Sequence, residues 1–328
     1  MDLALIFVLV LILGAEFVNG WTDAPNAIAT VVSTRVLSPI KAILLASIFN
    51  LLGVFSGTAV AETIGTGIVN DKVINLTTVG CAMIGLIVWG LFNARLGLPT
   101  SKSHALIAGL TGAGFATGGF DALVWEGWEK VLLGLLFSTF LGFFGGLLLM
   151  GFIYNAFKNT SPGKARRFFS VMQIFSSAFI AFSHGSNDGQ KLMGTFALAL
   201  LMGGVIPSFA IPSWVIFLCA GVMGLGTLCG GWKIMKTMGF HITHLNPSQG
   251  FATEMGAATT IELASRFGIP LSTTHTINFA IMGVGATRRL SAVRWGVTAN
   301  IITAWILTFP ICAVIAFSVT KIMLLIQR

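Results

Sequence analysis

Apolar residues run through this chain in long stretches that no charge interrupts: 42–61, 73–94, 131–153, 168–187, 192–232 and 295–320. About 20 such residues cross the hydrocarbon core of a bilayer as a helix. Most stretches therefore predict one span each, and 192–232 predicts two, with Pro207 and Pro212 supplying the turn. Polar breaks at 62–72 and 120–130 read as small acidic loops. The GxxxG spacings Gly53–Gly57 and Gly142–Gly146 predict close helix packing, because lipid offers little hydrophobic drive for helix association. The pattern predicts an all-α integral membrane protein of roughly ten to twelve membrane helices and half-helices, some of them broken.

Composition agrees: 55% of residues are hydrophobic, only 9% are charged, and the mean hydropathy is +0.90. The net charge of +8 does not indicate a nucleic-acid partner, because the basic residues sit beside spans. Lys158, Lys164, Arg166 and Arg167 crowd a connection at 156–167, which divides a first membrane unit (1–155) from a second (168–328). The positive-inside rule makes that connection cytoplasmic, and a multi-pass protein of the plasma membrane is expected. Asp2 stands where a cleavable signal would carry basic residues, so the N-terminus reads as part of the first unit. Cys81, Cys219, Cys229 and Cys312 lie scattered in apolar segments, without the spacing of a metal or disulfide framework.

The two units are copies. GWTDAPNAIAT at 20–30 aligns with GSNDGQKLMGT at 185–195, so that Gly20 meets Gly185, Asp23 meets Asp188 and Thr30 meets Thr195. GLPTSKSHALIAGLTGAG at 97–114 aligns with GIPLSTTHTINFAIMGVG at 268–285, pairing Pro99 with Pro270, Ser101 with Ser272 and His104 with His275. Duplicated motifs in a membrane protein predict inverted repeats, re-entrant hairpins and a transport site where the copies meet.

Each motif has its own chemistry. An acidic side chain inside a membrane is costly unless it is paired, protonated or hydrated, so Asp23 and Asp188 are either functional or helix caps at an interface. Their duplication favours function. Pro25 can break its helix, freeing carbonyls that with Asp23 and Asn26 could surround a cation; Gly189, beside Asn187, Asp188 and Gln190, offers similar freedom. In the second motif pair, the proline ends one helix and the hydroxyls begin the next. Thr100, Ser101 and Ser103, like Ser272, Thr273 and Thr274, then flank unpaired backbone N–H groups at a positive helix end, which suits a tetrahedral oxyanion. Ordinary Ser/Thr capping is the alternative. His104 and His275, one turn on, either serve the anion or a proton or pack in the core. Glu254 suits cation or proton coupling, with an interfacial salt bridge as the alternative; Glu16 is a weaker candidate. His241 and His244 lack the glutamate of a zinc motif.

These residues resemble the inorganic phosphate transporter (PiT) family, in particular its bacterial low-affinity branch, and the resemblance covers essentially the whole chain. It implies import of inorganic phosphate by symport with protons or sodium and no cofactor. By that resemblance phosphate would lie among Thr100, Ser101, Lys102, Ser103, His104, Ser272, Thr273, Thr274 and His275. Coupling cations would lie near Asp23, Asn26, Asn187, Asp188, Gln190, Lys191 and Glu254, with Asp23, Asn26 and Asp188 as candidate ligands of an ion.

The sequence departs from the family pattern in ways that bear on coupling. Thr22 and Lys191 replace asparagines of the sodium-coupled pattern, and Asn50 stands where many relatives carry a glutamate. An ammonium at Lys191 can replace a bound cation electrostatically, so proton coupling, or carriage of a metal–phosphate complex, is expected over sodium. Lys102 either adds charge near the anion or snorkels from its helix, with snorkelling preferred. The rival readings are a sodium-coupled phosphate or sulfate carrier, an intramembrane Ser–His hydrolase without an orienting acid, and an anion channel. Assembly as a homodimer is left open.

Overall fold

A computed structural model describes residues 2–326 of the chain. Thirteen α-helices account for most of it, with no β-strand among the described residues beyond an isolated Val69–Leu123 bridge. The first half contains α1 (Leu3–Ser33), α2 (Pro39–Val54), α3 (Ala59–Gly67), α4 (Leu76–Leu96), α5 (Lys102–Gly118) and α6 (Trp125–Ala156). The second contains α7 (Pro162–His184), a π-helical turn (Gly185–Gly189), α8 (Gln190–Met202), α9 (Ser213–Leu228), α10 (Trp232–Lys236), α11 (Pro247–Arg266), α12 (Thr273–Ala286) and α13 (Trp295–Ile326).

The halves place matching elements in the same order. α2 and α3 form a pair bent by 69°, and α9 with the helical segment through His241 forms a pair bent by 63°. α4–α5 and α11–α12 are hairpins whose tips carry the hydroxyl motifs. The tips turn where Gly97 and Gly268 adopt φ of 71° and 66°, in the left-handed region that glycine enters without a Cβ penalty. The prolines that follow, Pro99 and Pro270, prevent the helix from resuming at once. The loop 203–212, containing Pro207 and Pro212, separates α8 from α9 as the sequence predicts.

Packing exchanges parts between the halves. α5 lies against α13, and α12 lies against α6. On the α6–α12 contact a Cβ at Gly142 or Gly146 would come within 2.6 Å of the carbonyl oxygens of Thr276 or Ala280. That close approach is the packing role expected of the GxxxG pair. The outer faces of α6 and α13 expose large apolar side chains such as Leu136, Phe140, Leu148, Ile306 and Val314, the surface that hydrocarbon chains cover.

Three local readings change. Pro25 does not break α1, which runs unbroken from Leu3 to Ser33. Its missing N–H leaves the Trp21 carbonyl without a helical donor, and the site is accommodated by Gly231, where a Cβ would meet both Trp21 O and Pro25. Gly189 likewise widens α7–α8 into a π turn instead of ending the helix. Finally, α7 begins at Pro162, so Lys164, Arg166 and Arg167 occupy its first turns; proline at the first helical position starts a helix within the range read as connection. Lys158, Arg166 and Arg288 surround one cavity together with Thr34, so basic residues of both halves gather at one end, which the positive-inside rule assigns to the cytoplasm.

Candidate functional site

Both aspartates sit in helix interiors, which removes the capping alternative. Asp23 lies inside α1, two turns or more from either end, and Asp188 lies in the π turn between α7 and α8. The hairpin tips reach them from the two sides. Ser101 caps α5 by accepting the His104 amide at 3.2 Å, and Ser272 caps α12 by accepting the His275 amide at 3.2 Å. Each cap satisfies the third amide of its helix, leaving the first two amides (Lys102 and Ser103, Thr273 and Thr274) with no intrahelical acceptor.

The two motif types form one buried hydrogen-bonded cluster. Thr274 Oγ1 donates to Asp23 Oδ2 at 3.3 Å and receives the Asn26 amide at 3.0 Å. Thr273 Oγ1 donates to Asp188 Oδ2 at 2.7 Å. Lys191 Nζ donates to Asp188 Oδ1 at 2.5 Å, to Ser103 Oγ at 2.5 Å and to the Leu271 carbonyl at 2.6 Å. Ser103 Oγ in turn donates to Leu271 O at 3.0 Å, so the two tips touch directly.

Lys102 does not snorkel. It is 3% exposed, and its Nζ contacts Asp23 Oδ1 at 3.2 Å, the Thr100 carbonyl at 3.0 Å and Thr100 Oγ1 at 3.4 Å. The tip carries its stem into the protein, where a carboxylate meets the ammonium; no path to an aqueous interface is needed.

The remaining sequence candidates fall in three places. Asn187 donates to Ser265 Oγ at 2.8 Å, beside the second hairpin. Gln190 turns away and accepts the Val60 amide at 3.0 Å, capping α3. His104 and His275 meet edge to face at 4.6 Å between ring centroids, His275 against Trp305 and His104 against Phe309 of α13. Neither imidazole hydrogen-bonds a tip hydroxyl among the described residues, and His104 Nδ1 and both ring nitrogens of His275 are buried without a hydrogen-bond partner. Trp305 also donates to Pro99 O at 2.7 Å, so α13 braces the first tip from behind.

Glu254 stands apart from the ammoniums. Thr30 donates to its Oε1 at 2.5 Å, Gln173 donates to the same oxygen at 3.0 Å, and Ser176 bonds Oε2. Thr34 donates to Gln173 Oε1 at 2.8 Å, extending this network to the cavity at the cytoplasmic end. Asp23, Asn26 and Thr30 follow one face of α1 at helical spacing, so the Glu254 network lies one turn from the central cluster. Glu16 is buried on that face two turns before Asp23.

Sequence reasoning missed His184. Its Nε2 lies 3.1 Å from Asp188 Oδ2 and its Nδ1 lies 3.0 Å from Asn50 Oδ1. Ligand atoms of Asp23, His184 and Asp188 all fall within 4.8 Å of one another. The signal was the i, i+4 spacing of His184 and Asp188 on a helix. The partners Thr30, Gln173 and Ser176 of Glu254 carried no local signal.

Non-helical hairpin tips, a π turn carrying Asp188, the buried Asp23 within α1 and an apolar outer belt define an all-helical membrane protein in which matching helices of two halves enclose a polar centre. The comparisons with known proteins agree. Residues 19–316 match the model of the phosphate transporter family, to which this chain belongs. A probable low-affinity inorganic phosphate transporter of Rhizobium meliloti is 46% identical over 92% of this chain and 91% of its own length. One of the same description from Bacillus subtilis is 38% identical over 95% and 96%. The solved structure titled "The sodium-dependent phosphate transporter" superposes with a TM-score of 0.92 at 26% identity, covering 99% of this chain and all of that one. The protein is a phosphate transporter of the membrane, not an enzyme.

Proposed function

We propose that the protein imports inorganic phosphate by cation symport, with phosphate held between the hairpin tips and protons favoured over sodium. One observation carries this reading: the hydroxyls of both tips and the two aspartate motifs belong to a single buried cluster, tied by Thr273–Asp188, Thr274–Asp23 and Lys191–Ser103. An anion entering between the tips would meet four helix-start amides, the Ser103 and Thr274 hydroxyls and the Lys191 ammonium. Its protonated oxygen would find an acceptor in Asp23 or Asp188, which sulfate could not use as a donor does. Glu254, held only by neutral donors among the described residues, is the acid best placed to carry a coupling proton toward the cytoplasmic cavity.

Uptake into proteoliposomes tests this. With radiolabelled phosphate, an inside-alkaline pH gradient is expected to drive accumulation, and a sodium gradient at constant pH is not. Labelled sulfate is expected to stay at background. Asp23, His184 and Asp188 would offer a divalent ion two oxygens and a nitrogen, so each arm is run with and without magnesium to show whether a metal–phosphate complex is carried. Accumulation that requires sodium and ignores pH rejects the proton reading.

A further inference from the structure

The two buried ammoniums occupy equivalent nests. Lys102 Nζ meets a carboxylate (Asp23), a carbonyl (Thr100 O) and a hydroxyl (Thr100 Oγ1). Lys191 Nζ meets a carboxylate (Asp188), a carbonyl (Leu271 O) and a hydroxyl (Ser103 Oγ). Thr100 and Leu271 are the same position of the repeat, each directly after the tip proline. Each nest is thus an aspartate of one long helix plus the post-proline carbonyl of a hairpin tip. Carboxylate, carbonyl and hydroxyl oxygens are the ligand set that a hard, weakly directional cation takes.

The lysines reach these nests by different routes. Lys102 belongs to the first tip, and its repeat counterpart is Thr273. Lys191 comes from α8, one turn after Asp188, and its counterpart is Asn26. Neither counterpart is charged. Two unrelated positions have each delivered an ammonium to the same place in the repeat, which simple packing does not require. All three N–H donors of each ammonium have an acceptor within reach, and the two aspartates and two lysines balance in charge. His184 lies against Asp188, and Glu16 lies two turns from Asp23 on α1.

From this geometry we infer that Lys102 and Lys191 are fixed internal cations that stand where mobile monovalent cations would otherwise bind, and that they set the coupling-ion specificity of the transporter. The inference rests on the phosphate-symport reading above and adds the residues that decide its ion. Without the ammoniums, the two aspartates and an incoming anion would place at least three negative charges together in a buried site, and transport would require cations from solution.

The chain's own repeat supplies the test. Lys102→Thr and Lys191→Asn give each position the residue its counterpart carries. In proteoliposomes, phosphate uptake by the native protein is expected to be equal in sodium and in choline at matched ionic strength. The double variant is expected to take up phosphate at least about tenfold faster in sodium than in choline, a ratio equivalent to about 1.4 kcal/mol of stabilisation of the transporting state by sodium. Uptake by the double variant that is equal in both media overturns the inference; if native uptake still follows the pH gradient, the phosphate-symport reading stands.

If the double variant does not transport, thermal unfolding of the purified proteins decides. Sodium, against choline, is expected to raise the midpoint of the double variant and leave the native midpoint unchanged. A saturable sodium-specific rise in the native protein, or none in the variant, overturns the inference. Lys191→Met is the contrasting single change. It removes the charge without supplying an oxygen or nitrogen ligand, and is expected to lose uptake in both media.

Discussion

Asp188→Asn is expected to reduce the initial rate of phosphate uptake at least about a hundredfold while the protein still inserts in the membrane. Asp188 accepts from Lys191 and Thr273 and lies against His184, all of them buried. An asparagine keeps the shape but removes the charge and turns one acceptor into a donor facing a donor. Breaking a buried pair by removing one partner costs about 3–5 kcal/mol, because the remaining charge is left uncompensated. At about 1.4 kcal/mol per decade, even the lower figure amounts to about two decades. The cost falls on the site itself, since Lys191 also ties Ser103 to Leu271 and so fixes the spacing of the tips. The pair Arg266–Glu262, with an exposed guanidinium and a largely covered carboxylate, is the control. Arg266 is largely exposed, and such pairs contribute about 0–1 kcal/mol, so Arg266→Ala is expected to leave uptake unchanged. Labelled-phosphate uptake, normalised to protein detected in the membrane, measures both.

Glu254 should separate stability from coupling. Glu254→Leu strips the acceptor from Thr30 and Gln173 and leaves Ser176 only the Gln173 carbonyl at 3.2 Å, and each buried group left unsatisfied costs about 1–3 kcal/mol. A destabilisation of about 3 kcal/mol or more is expected, read as a lowered midpoint in thermal unfolding of the purified protein. Glu254→Gln retains a carbonyl oxygen for Thr30 and Gln173 and fills the same space, so its midpoint is expected to stay close to that of the native protein. It cannot take up and release a proton. The Gln variant is therefore expected to exchange phosphate between equal pools while failing to accumulate it under a pH gradient. Accumulation at the native level by that variant would remove Glu254 from the coupling path.

Much of the fold was legible in the chain because its signals are local. Uncharged runs of membrane length marked α4, α6, α7 and α13, whereas the run 42–61 is the bent α2–α3 pair and α1, which carries Glu16 and Asp23, lay outside every run. Gly-Leu-Pro and Gly-Ile-Pro marked the tips, where the left-handed glycines and the serine caps are now found. The duplication of both motifs pointed to a centre shared by two halves, and the cluster joining Asp23, Asp188 and the tips lies there. What was not legible depends on contacts between distant segments. Local spacing cannot reveal that α5 packs on α13 while α12 packs on α6, nor that Gln173 and Glu254 meet. Lys102 was misread for the same reason. A lysine in a short helix looks like a snorkelling side chain until the carboxylate waiting at Asp23, from another helix, is known. Pro25 was misread as a break because the local rule is sound, but Gly231 from the other half makes room for an unbroken helix.

The two halves differ in how they reach the same chemistry. The hydroxyl tips are near copies, which suits one anion approached from both sides. The aspartate motifs diverge at Asn26 against Lys191, and the tips diverge at Lys102 against Thr273. Those mismatches place one ammonium beside each carboxylate. In physical terms the duplication builds the anion site, while its departures from symmetry fill the cation side from within the chain.

The most direct test of the phosphate site is the position of the anion itself. Crystals of the protein grown with arsenate, a tetrahedral oxyanion of the same charge and shape, allow an anomalous difference map at the arsenic edge. The account predicts a single strong peak between the tips, within hydrogen-bond reach of Ser103, Thr274 and the amides that open α5 and α12. A peak confined to the basic cavity of Lys158, Arg166 and Arg288, with none between the tips, would contradict it.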